Sequence, residues 1–524
     1  MNIAIVGGGF TGLTAAYELV KKGHHVTVFE KEKTLGGLAH GFKNKGWNWH
    51  LESAYHHLFT NDHAILDLID ELGISDKLIL TRPVTANYVP SFVIPAYAGI
   101  QSKMKTLDSR FHGNDNILPF DSPIHLLTYP GLSFLDKLRT GILIALMKLN
   151  PFWQPLEWIT AKKLFVAIGG LTAWRLLWEL LMIGKFGTYA ESVSASWLWA
   201  RIKKRTQKLY YIQGGFHTLV TALEKAIKPQ GGIIITSASV ESIQIGNSHS
   251  RPASKCGVNS SGNPEFVLNW ILGSSSPRVR SGEAGPRMTQ TKSFDRLLLT
   301  VPTPIATKLI SSCQRSAARL AQAPAKRVSG QLSPAIPHLH AQTLILETIE
   351  PILQDTLLRG CKRVSCEANG VYWLNIMDRS FPFLAVVAHT NMIDKKYYGG
   401  HHLTYFGNYL PDGHPYLSMT KDQLLKVFLP FIKRLNPSCQ LSAVSCQLFT
   451  APFAQPVHEL HYSRRAPKLE TPIPGVYLAN MDSIYPWDRG TNYAVELGVR
   501  AAAVICHSRD NNVVIPAKAG ISQL

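Results

Sequence analysis

Asn2-Ile3-Ala4-Ile5-Val6-Gly7-Gly8-Gly9-Phe10-Thr11-Gly12 decides the fold of this 524-residue chain. The apolar run Ile3 to Val6 reads as a short buried strand, and Leu13, Ala16, Leu19 and Val20 then recur at helical spacing until Gly23 offers a C-terminal stop. His25 to Glu30 gives a second strand, so a βαβ unit is complete by residue 30. Within the G-x-G-x-x-G turn, Gly7 permits the tight bend, Gly9 lets the backbone approach a pyrophosphate and Gly12 lets helix and strand pack closely. The helix N-terminus stabilises the phosphate charge. Glu30 ends the second strand 18 residues after Gly12, where a carboxylate can accept hydrogen bonds from both ribose hydroxyls of an adenosine. The alternative is a glycine-rich turn of purely structural use.

A chain this long is expected to hold two or more structural units around a large core, which excludes a small stapled scaffold. Hydrophobic residues make up 45% and charged residues 17%, excluding disordered and collagen-like classes. Lys+Arg 54 against Asp+Glu 35 gives +19, which suits an anionic cofactor, an acidic substrate or an anionic membrane face. No Lys/Arg stripe with interleaved aromatics supports a nucleic-acid partner. The seven cysteines are scattered and never in C-x-x-C spacing, so free thiols in a reducing compartment are expected. The strand at Asn2 leaves no room for a signal peptide, and no apolar run reaches the roughly 18 residues that span a bilayer. The expectation is a cytoplasmic protein, with peripheral contact at the inner face of the membrane left open.

Beyond the first unit, a helix is expected from about Asp62, with Ile65, Leu66, Leu68, Ile69 and Leu72 on one side. Residues 117–206 hold six of the eleven tryptophans among Leu-rich helical stretches and read as a helical cap. Strand signals return at Ile233 to Thr236 and Leu297 to Val301, an amphipathic helix at Asp422 to Leu435, and a last strand at Gly475 to Ala479 leads into a helix from Tyr493 to Cys506. The stretch 247–293, rich in Ser, Gly, Pro and Arg, reads as a loop insertion. Val93-Ile94-Pro95-Ala96-Tyr97-Ala98-Gly99-Ile100 and Val514-Ile515-Pro516-Ala517-Lys518-Ala519-Gly520-Ile521 differ only at the fifth place, so 92–116 and 507–524 read with it as repeat-like insertions and tail. Without these three segments the net charge is still +13, so the basic balance belongs to the body of the protein.

Glu30-Lys31-Glu32-Lys33-Thr34-Leu35-Gly36-Gly37-Leu38-Ala39 places a Gly-Gly pair six residues beyond the ribose carboxylate. It resembles the second fingerprint of flavin enzymes in the amine oxidase, phytoene desaturase and protoporphyrinogen oxidase superfamily. That resemblance implies FAD rather than NAD and assigns Lys31, Gly36, Gly37 and Leu38 to it. Asn480 to Ala494, which follows a strand and opens a helix, looks like the C-terminal FAD motif of the same superfamily. There the amides of Gly490, Thr491 and Asn492 could stabilise negative charge on a reduced flavin ring, and Asp488 could bind the ribityl hydroxyls. An N-cap with a salt-bridged Arg489 is the structural alternative. A glycine pair at Gly214-Gly215, a helix and the strand ending at Val240 match a third segment, whose valine in related flavoproteins presents its backbone to adenine.

The resemblance implies an α/β fold: a discontinuous Rossmann-like FAD-binding domain over 1–88, 207–310 and 470–506, and a mixed α+β substrate domain with a helical cap over 117–206 and 311–469. Reaction-site residues are less sharply marked. Trp47, Trp49, Tyr55, His56 and His57 follow the Gly-Gly element, His389 lies in the substrate domain, and the pair His56 and His57 could hold a carboxylate or relay a proton. Nothing has metal-ligand spacing, so no metal is expected. By analogy a substrate C–H or C–N bond gives hydride to flavin N5, and oxygen or a quinone reoxidises the flavin. The small-molecule substrate is expected to be bulky or anionic. The rival readings are a flavin-dependent isomerase or sugar-nucleotide mutase without net oxidation, and a degraded paralogue that keeps only the cofactor fold.

Overall fold

The computed structural model describes residues 1–89, 117–246, 265–272, 289–310, 335–353, 370–437 and 443–507. Its centre is a parallel sheet of five strands in the order Ile233–Ile235, His25–Phe29, Asn2–Val6, Arg296–Leu299 and Val476–Leu478. A parallel sheet is covered on both faces, which is why Ile3 to Val6 is apolar without alternation. Ile3 and Ile5 face the helices Phe10–Lys21, His217–Ile227 and Thr491–His507, through Leu19, Leu223 and Ala502 among others. Ala4 and Val6 face a three-stranded antiparallel sheet of Ala238–Gly246, Glu265–Leu272 and Thr289–Phe294.

That second sheet corrects the reading of 247–293 as a loop insertion. Glu265–Leu272 alternates along its length, with Phe266, Leu268 and Trp270 buried against Phe29 and Leu297. Period-two burial is the mark of a strand with one covered face. The strand is short and hemmed by Ser, Gly and Arg, so composition over the wider window concealed it. The repeat-like segments 92–116 and 508–524 lie outside the described residues.

A seven-stranded sheet forms the second layer, in the order Ala443–Pro456, His338–Thr348, His402–Leu410, Ala385–Ala388, Val371–Ile376, Val84–Tyr88 and Ile117–Pro119. Val84–Tyr88, expected in the first piece of the cofactor domain, pairs here in parallel with Val371–Ile376. One face packs on the helix Lys421–Leu435, whose Leu424, Phe428, Ile432 and Leu435 share a side, and which starts with a capping box of Thr420 and Gln423. The other face sends Ile345, Tyr372, Val387 and Tyr405 into the same core as Leu51, Leu58 and Tyr211. The two layers therefore share one hydrophobic interior.

Residues 123–204 form the helical cap, including Phe134–Leu149, Ala161–Gly169, Leu180–Phe186 and Ala195–Lys204. Trp174, Trp178, Trp197 and Trp199 are buried in its own core with Phe165 and Phe186. The aromatic cap read from the tryptophan spacing is thus a packed layer in its own right.

Candidate functional site

Two glycine elements distant in sequence meet at the C-terminal end of Asn2–Val6. Gly7 has φ +114°, and a Cβ on it would come within 2.5 Å of Thr300 Oγ1. A Cβ on Gly12 would lie 2.1 Å from the Gly7 carbonyl oxygen, so the helix approaches the strand as closely as only glycine allows. Gly9 is different. Its backbone, φ −77° and ψ 179°, suits any residue, and a Cβ there would meet only Gly37 Cα at 3.7 Å. Among the described residues nothing requires glycine at that position, and the space beside it is open. The helix beginning at Phe10 has no side-chain cap, so its first-turn amides have no side-chain acceptor from the N-cap.

Gly36 and Gly37 take φ +110° and +58°, which turns the chain back onto this loop. The Gly36 amide donates to Gly8 O at 2.9 Å, and Gly9 bridges to Gly36. Glu30 fastens the same junction. Its buried carboxylate accepts from the Gly8 amide at 2.7 Å and the Glu32 amide at 2.8 Å. The Ala238 amide donates to Glu30 O at 2.8 Å, which brings Val240, paired with Trp270, alongside. Lys31 is exposed beside Glu32, and Leu38 is half-buried in the short turn Gly37–Ala39. An open cradle at Gly9, uncapped amides and a buried carboxylate on the adjacent strand form a donor set suited to the pyrophosphate and ribose of a dinucleotide.

The C-terminal segment divides its residues between two tasks. Gly490 is exposed at the start of Thr491–His507, and Thr491 is buried there. Asn492 Oδ1 accepts from the Ile65 amide at 3.1 Å, capping the helix His63–Glu71. Asp488 pairs with Lys185 Nζ at 2.8 Å and Arg201 Nη1 at 3.2 Å, both from the cap. Burial alone would raise this carboxyl, yet Lys185, Arg201 and Arg489 hold it far below the ordinary carboxylate range. Arg489 donates to the Tyr409 hydroxyl and stacks on that ring. Burial tends to raise Tyr409, but Arg489 and Lys185 outweigh it and the phenol titrates below its usual value. Asp488 is therefore the carboxylate at the centre of a cationic cluster, with three cations around a single acid.

Tyr55, His56 and His57 run from the Gly-Gly element towards this cluster. Tyr55 packs edge-on against Trp373, and its hydroxyl interacts with Tyr409. His56 Nδ1 lies 2.6 Å from Ala54 O, which makes that nitrogen the donor, and its ring tilts against Phe216. His57 Nδ1 lies 3.2 Å from the Tyr372 hydroxyl. Burial lowers His56 to about 4 and His57 to about 3, with His56, Arg205 and Arg201 adding to the second. Both rings are neutral at pH 7, so they can pass a proton or accept a hydrogen bond but supply no positive charge to a carboxylate. The charge comes from Lys185, Arg201 and Arg489, whose positions carry no periodic signal in the sequence.

His389 belongs to a separate interior network. Its Nε2 lies 2.8 Å from the Tyr398 hydroxyl, and burial lowers it to about 3. Glu52, fully buried, accepts from Tyr211 at 2.8 Å and the Phe216 amide at 2.7 Å, while its own carbonyl oxygen accepts from Tyr405. Burial pushes its carboxyl up to about 7 despite those donors. No sequence pattern marked Glu52.

Residues 10–506 match the family Flavin containing amine oxidoreductase. A zeta-carotene desaturase from Solanum lycopersicum is 27% identical over 150 residues, which cover 28% of this chain and 22% of that one, so the chain spans about a fifth of that relative's length. An oxidoreductase from Methanosarcina mazei has the same fold, with a TM-score of 0.63 at 17% identity, covering 96% of this chain and 100% of that one. A reduced UDP-galactopyranose mutase does too, with a TM-score of 0.64 at 13% identity, covering 98% and 96%. With a family match that runs from the helix of the first glycine turn through Gly36-Gly37 to the C-terminal loop, the chain belongs to the flavin containing amine oxidoreductases, a family of enzymes whose cofactor is FAD.

Proposed function

We propose that this protein removes hydride from a C–H bond, either of a hydrocarbon segment or of the carbon next to an amine nitrogen, in a bulky substrate carrying an acidic group. The observation that carries the reading is the cluster in which the half-buried Tyr55, His56, His57 and Tyr409 meet Arg201 and Arg489. Gly7, Gly9, Gly12, Glu30, Gly36 and Gly37 would hold the pyrophosphate and ribose of FAD, with Lys31, Leu38 and Val240 near the adenosine end and Gly490, Thr491 and Asn492 near the ring. Bound FAD supplies a two-electron acceptor, which oxygen or a quinone restores. Around it, Arg201 and Arg489 hold the substrate's anionic group, and His56 and His57, neutral and desolvated, take up or return a proton. Tyr55 and Trp373 exclude water from the apolar part. Peripheral contact with an anionic membrane, from which such substrates partition, belongs to the same reading.

The direct test is anaerobic mixing of the yellow holoenzyme with apolar carboxylates and amines. Bleaching of the flavin by a substrate in wild type, with a raised KM but retained flavin in Arg201→Gln, supports the assignment. Equal KM in that variant would remove Arg201 from substrate binding. The fold shared with UDP-galactopyranose mutase and the cationic cluster, which equally suits a diphosphate, favour one second reading, a mutase or isomerase. Such an enzyme needs a reductant only for priming, whereas an oxidase consumes its acceptor stoichiometrically.

A further inference from the structure

The cap helix Phe134–Leu149 is apolar nearly all round. Its inner side, with Leu143 and Met147, is buried in the tryptophan core, as expected of an amphipathic element. Its outer side breaks the rule. Leu135, Leu138, Ile142, Leu146 and Leu149 are 59%, 49%, 48%, 46% and 78% exposed, and their spacing places them along one helical stripe. Phe152 just beyond the helix is 65% exposed, and Ile124 and Leu127 on the preceding helix 55% and 58%. Of the 17 large apolar residues exposed among the described residues, 11 fall between Ile124 and Leu171. Soluble surfaces scatter such residues singly; a concentration of this kind marks a contact face.

Charge identifies what covers it. Residues 123–208 hold twelve Lys and Arg against four Asp and Glu, a net +8. One of those acids, Asp136, is spent on the helix capping box with Ser133, and another, Glu157, is buried. Lys148 and Lys203 donate to backbone carbonyls at the end of the helix, including Arg205 O at 2.7 Å and Asn150 O at 2.9 Å, which leaves their charge without a carboxylate in those contacts. Lys185 and Arg201 turn inward to Asp488, but the remaining ten cations still exceed the four acids, so a second copy of this face would set like charge against like charge, which opposes self-association. Anionic lipid satisfies both features, since acyl chains receive the apolar stripe and headgroups the cations. The helix has 16 residues, about 24 Å at 1.5 Å per residue, short of the ~30 Å hydrocarbon core, so it lies in the interface and does not cross it.

We propose that the outer face of Phe134–Leu149, with Phe152 and the helix before it, is the surface by which this enzyme docks on an anionic membrane. The inference deepens the peripheral-contact reading but does not depend on the flavin chemistry. The experiment is co-sedimentation of the full-length holoenzyme with vesicles of phosphatidylcholine alone and of phosphatidylcholine with phosphatidylglycerol, at low and high salt. Wild type is expected to pellet with the anionic vesicles and to be released by salt. Leu138→Glu/Ile142→Glu should weaken partitioning about tenfold or more, with flavin content and melting temperature unchanged, because both side chains already face solvent. Leu149→Glu/Phe152→Glu, at the end of the helix, should do the same and guards against misfolding of the first variant. Wild type absent from both pellets overturns the proposal, as does wild-type binding by both folded variants. So does a fall from dimer to monomer in sedimentation velocity without any change in vesicle binding, which would assign the face to a second copy. Vesicle binding by colourless protein would sustain docking while refuting the flavin reading; yellow protein that ignores vesicles would do the reverse.

Discussion

The glycines of the first turn are predicted to separate into two kinds, and the contrast between Gly9 and Gly12 tests the cofactor cradle. Gly12→Ala forces a Cβ to within 2.1 Å of a backbone oxygen that cannot move without displacing the Asn2–Val6 strand. Overpacking of that sort costs about 3 kcal/mol or more, and flavin-free protein should show the loss in urea unfolding. Gly9→Ala and Gly9→Val add a side chain at φ −77°, with the nearest atom 3.7 Å from the new Cβ. Flavin-free stability should change by less than ~1 kcal/mol, since the backbone is already in a favourable region. Flavin binding should suffer instead. Valine occupies the space above the uncapped amides, and losing two charge-assisted bonds to phosphate at about 1.5 kcal/mol or more each weakens Kd more than about a hundredfold. Flavin absorbance after gel filtration reports retention, and titration of stripped protein gives the affinity. Wild-type affinity in Gly9→Val would refute the cradle. A flavin-free stability loss equal to that of Gly12→Ala would make Gly9 structural.

Three further outcomes follow from the interior. Trp270→Ala should cost about 3–5 kcal/mol, measured by chemical denaturation, because this 4% exposed ring fills the contact between the two sheets; excision of 265–294 should abolish soluble protein. Stability should depend on pH with two opposing signs. His389, depressed from 6.5 to about 3, contributes about 5 kcal/mol that is present above pH 6.5 and lost as pH falls through 3, so His389→Gln should flatten the acid limb of urea midpoints. Glu52, raised from 4.5 to about 7, contributes about 3 kcal/mol that is present below pH 4.5 and lost as pH rises through 7, so Glu52→Gln should steepen the rise over that window. Lys185→Met removes the buried partner, and the shorter of the two ion pairs, of the half-buried Asp488 and should destabilise by about 3 kcal/mol, whereas Lys185→Met/Asp488→Leu should recover part of it.

The cofactor half of the molecule was legible because its signals are local. A strand, a glycine turn and a helix occupy the first 21 residues, and the Gly36-Gly37 pair lies close enough to Glu30 to be read with it. Glu265–Leu272 is hidden in the sequence because its eight alternating residues sit within Ser- and Gly-rich surroundings. The cationic cluster was beyond reach for a different reason. Lys185, Arg201 and Asp488 come from two cap helices and the C-terminal loop, and neither periodicity nor spacing says which charges a fold will bury together. The neighbours of Asp488 in sequence suggest a cofactor loop, while its neighbours in space are Lys185 and Arg201. His56 and His57 were found by proximity to the Gly-Gly element, but their neutrality at pH 7 depends on burial and on Arg201 and Arg205, which sequence proximity does not reveal.

The central parallel sheet draws its strands from residues 2–6, 25–29, 233–235, 296–299 and 476–478, with Thr300 bonded to a carbonyl 294 positions earlier. During synthesis, then, the strand before the glycine turn meets His25–Phe29 at once but cannot acquire its second neighbour until the ribosome has passed residue 299, nor the helix Thr491–His507 until the last of the described chain is made. For most of translation the nascent chain exposes an unpaired parallel edge and an apolar helix face, the condition in which chaperone capture and aggregation compete with folding. The expected consequence is late, post-translational cofactor acquisition: flavin supplied during expression should act on yield by trapping completed chains, with no effect on those stopped short of the final helix.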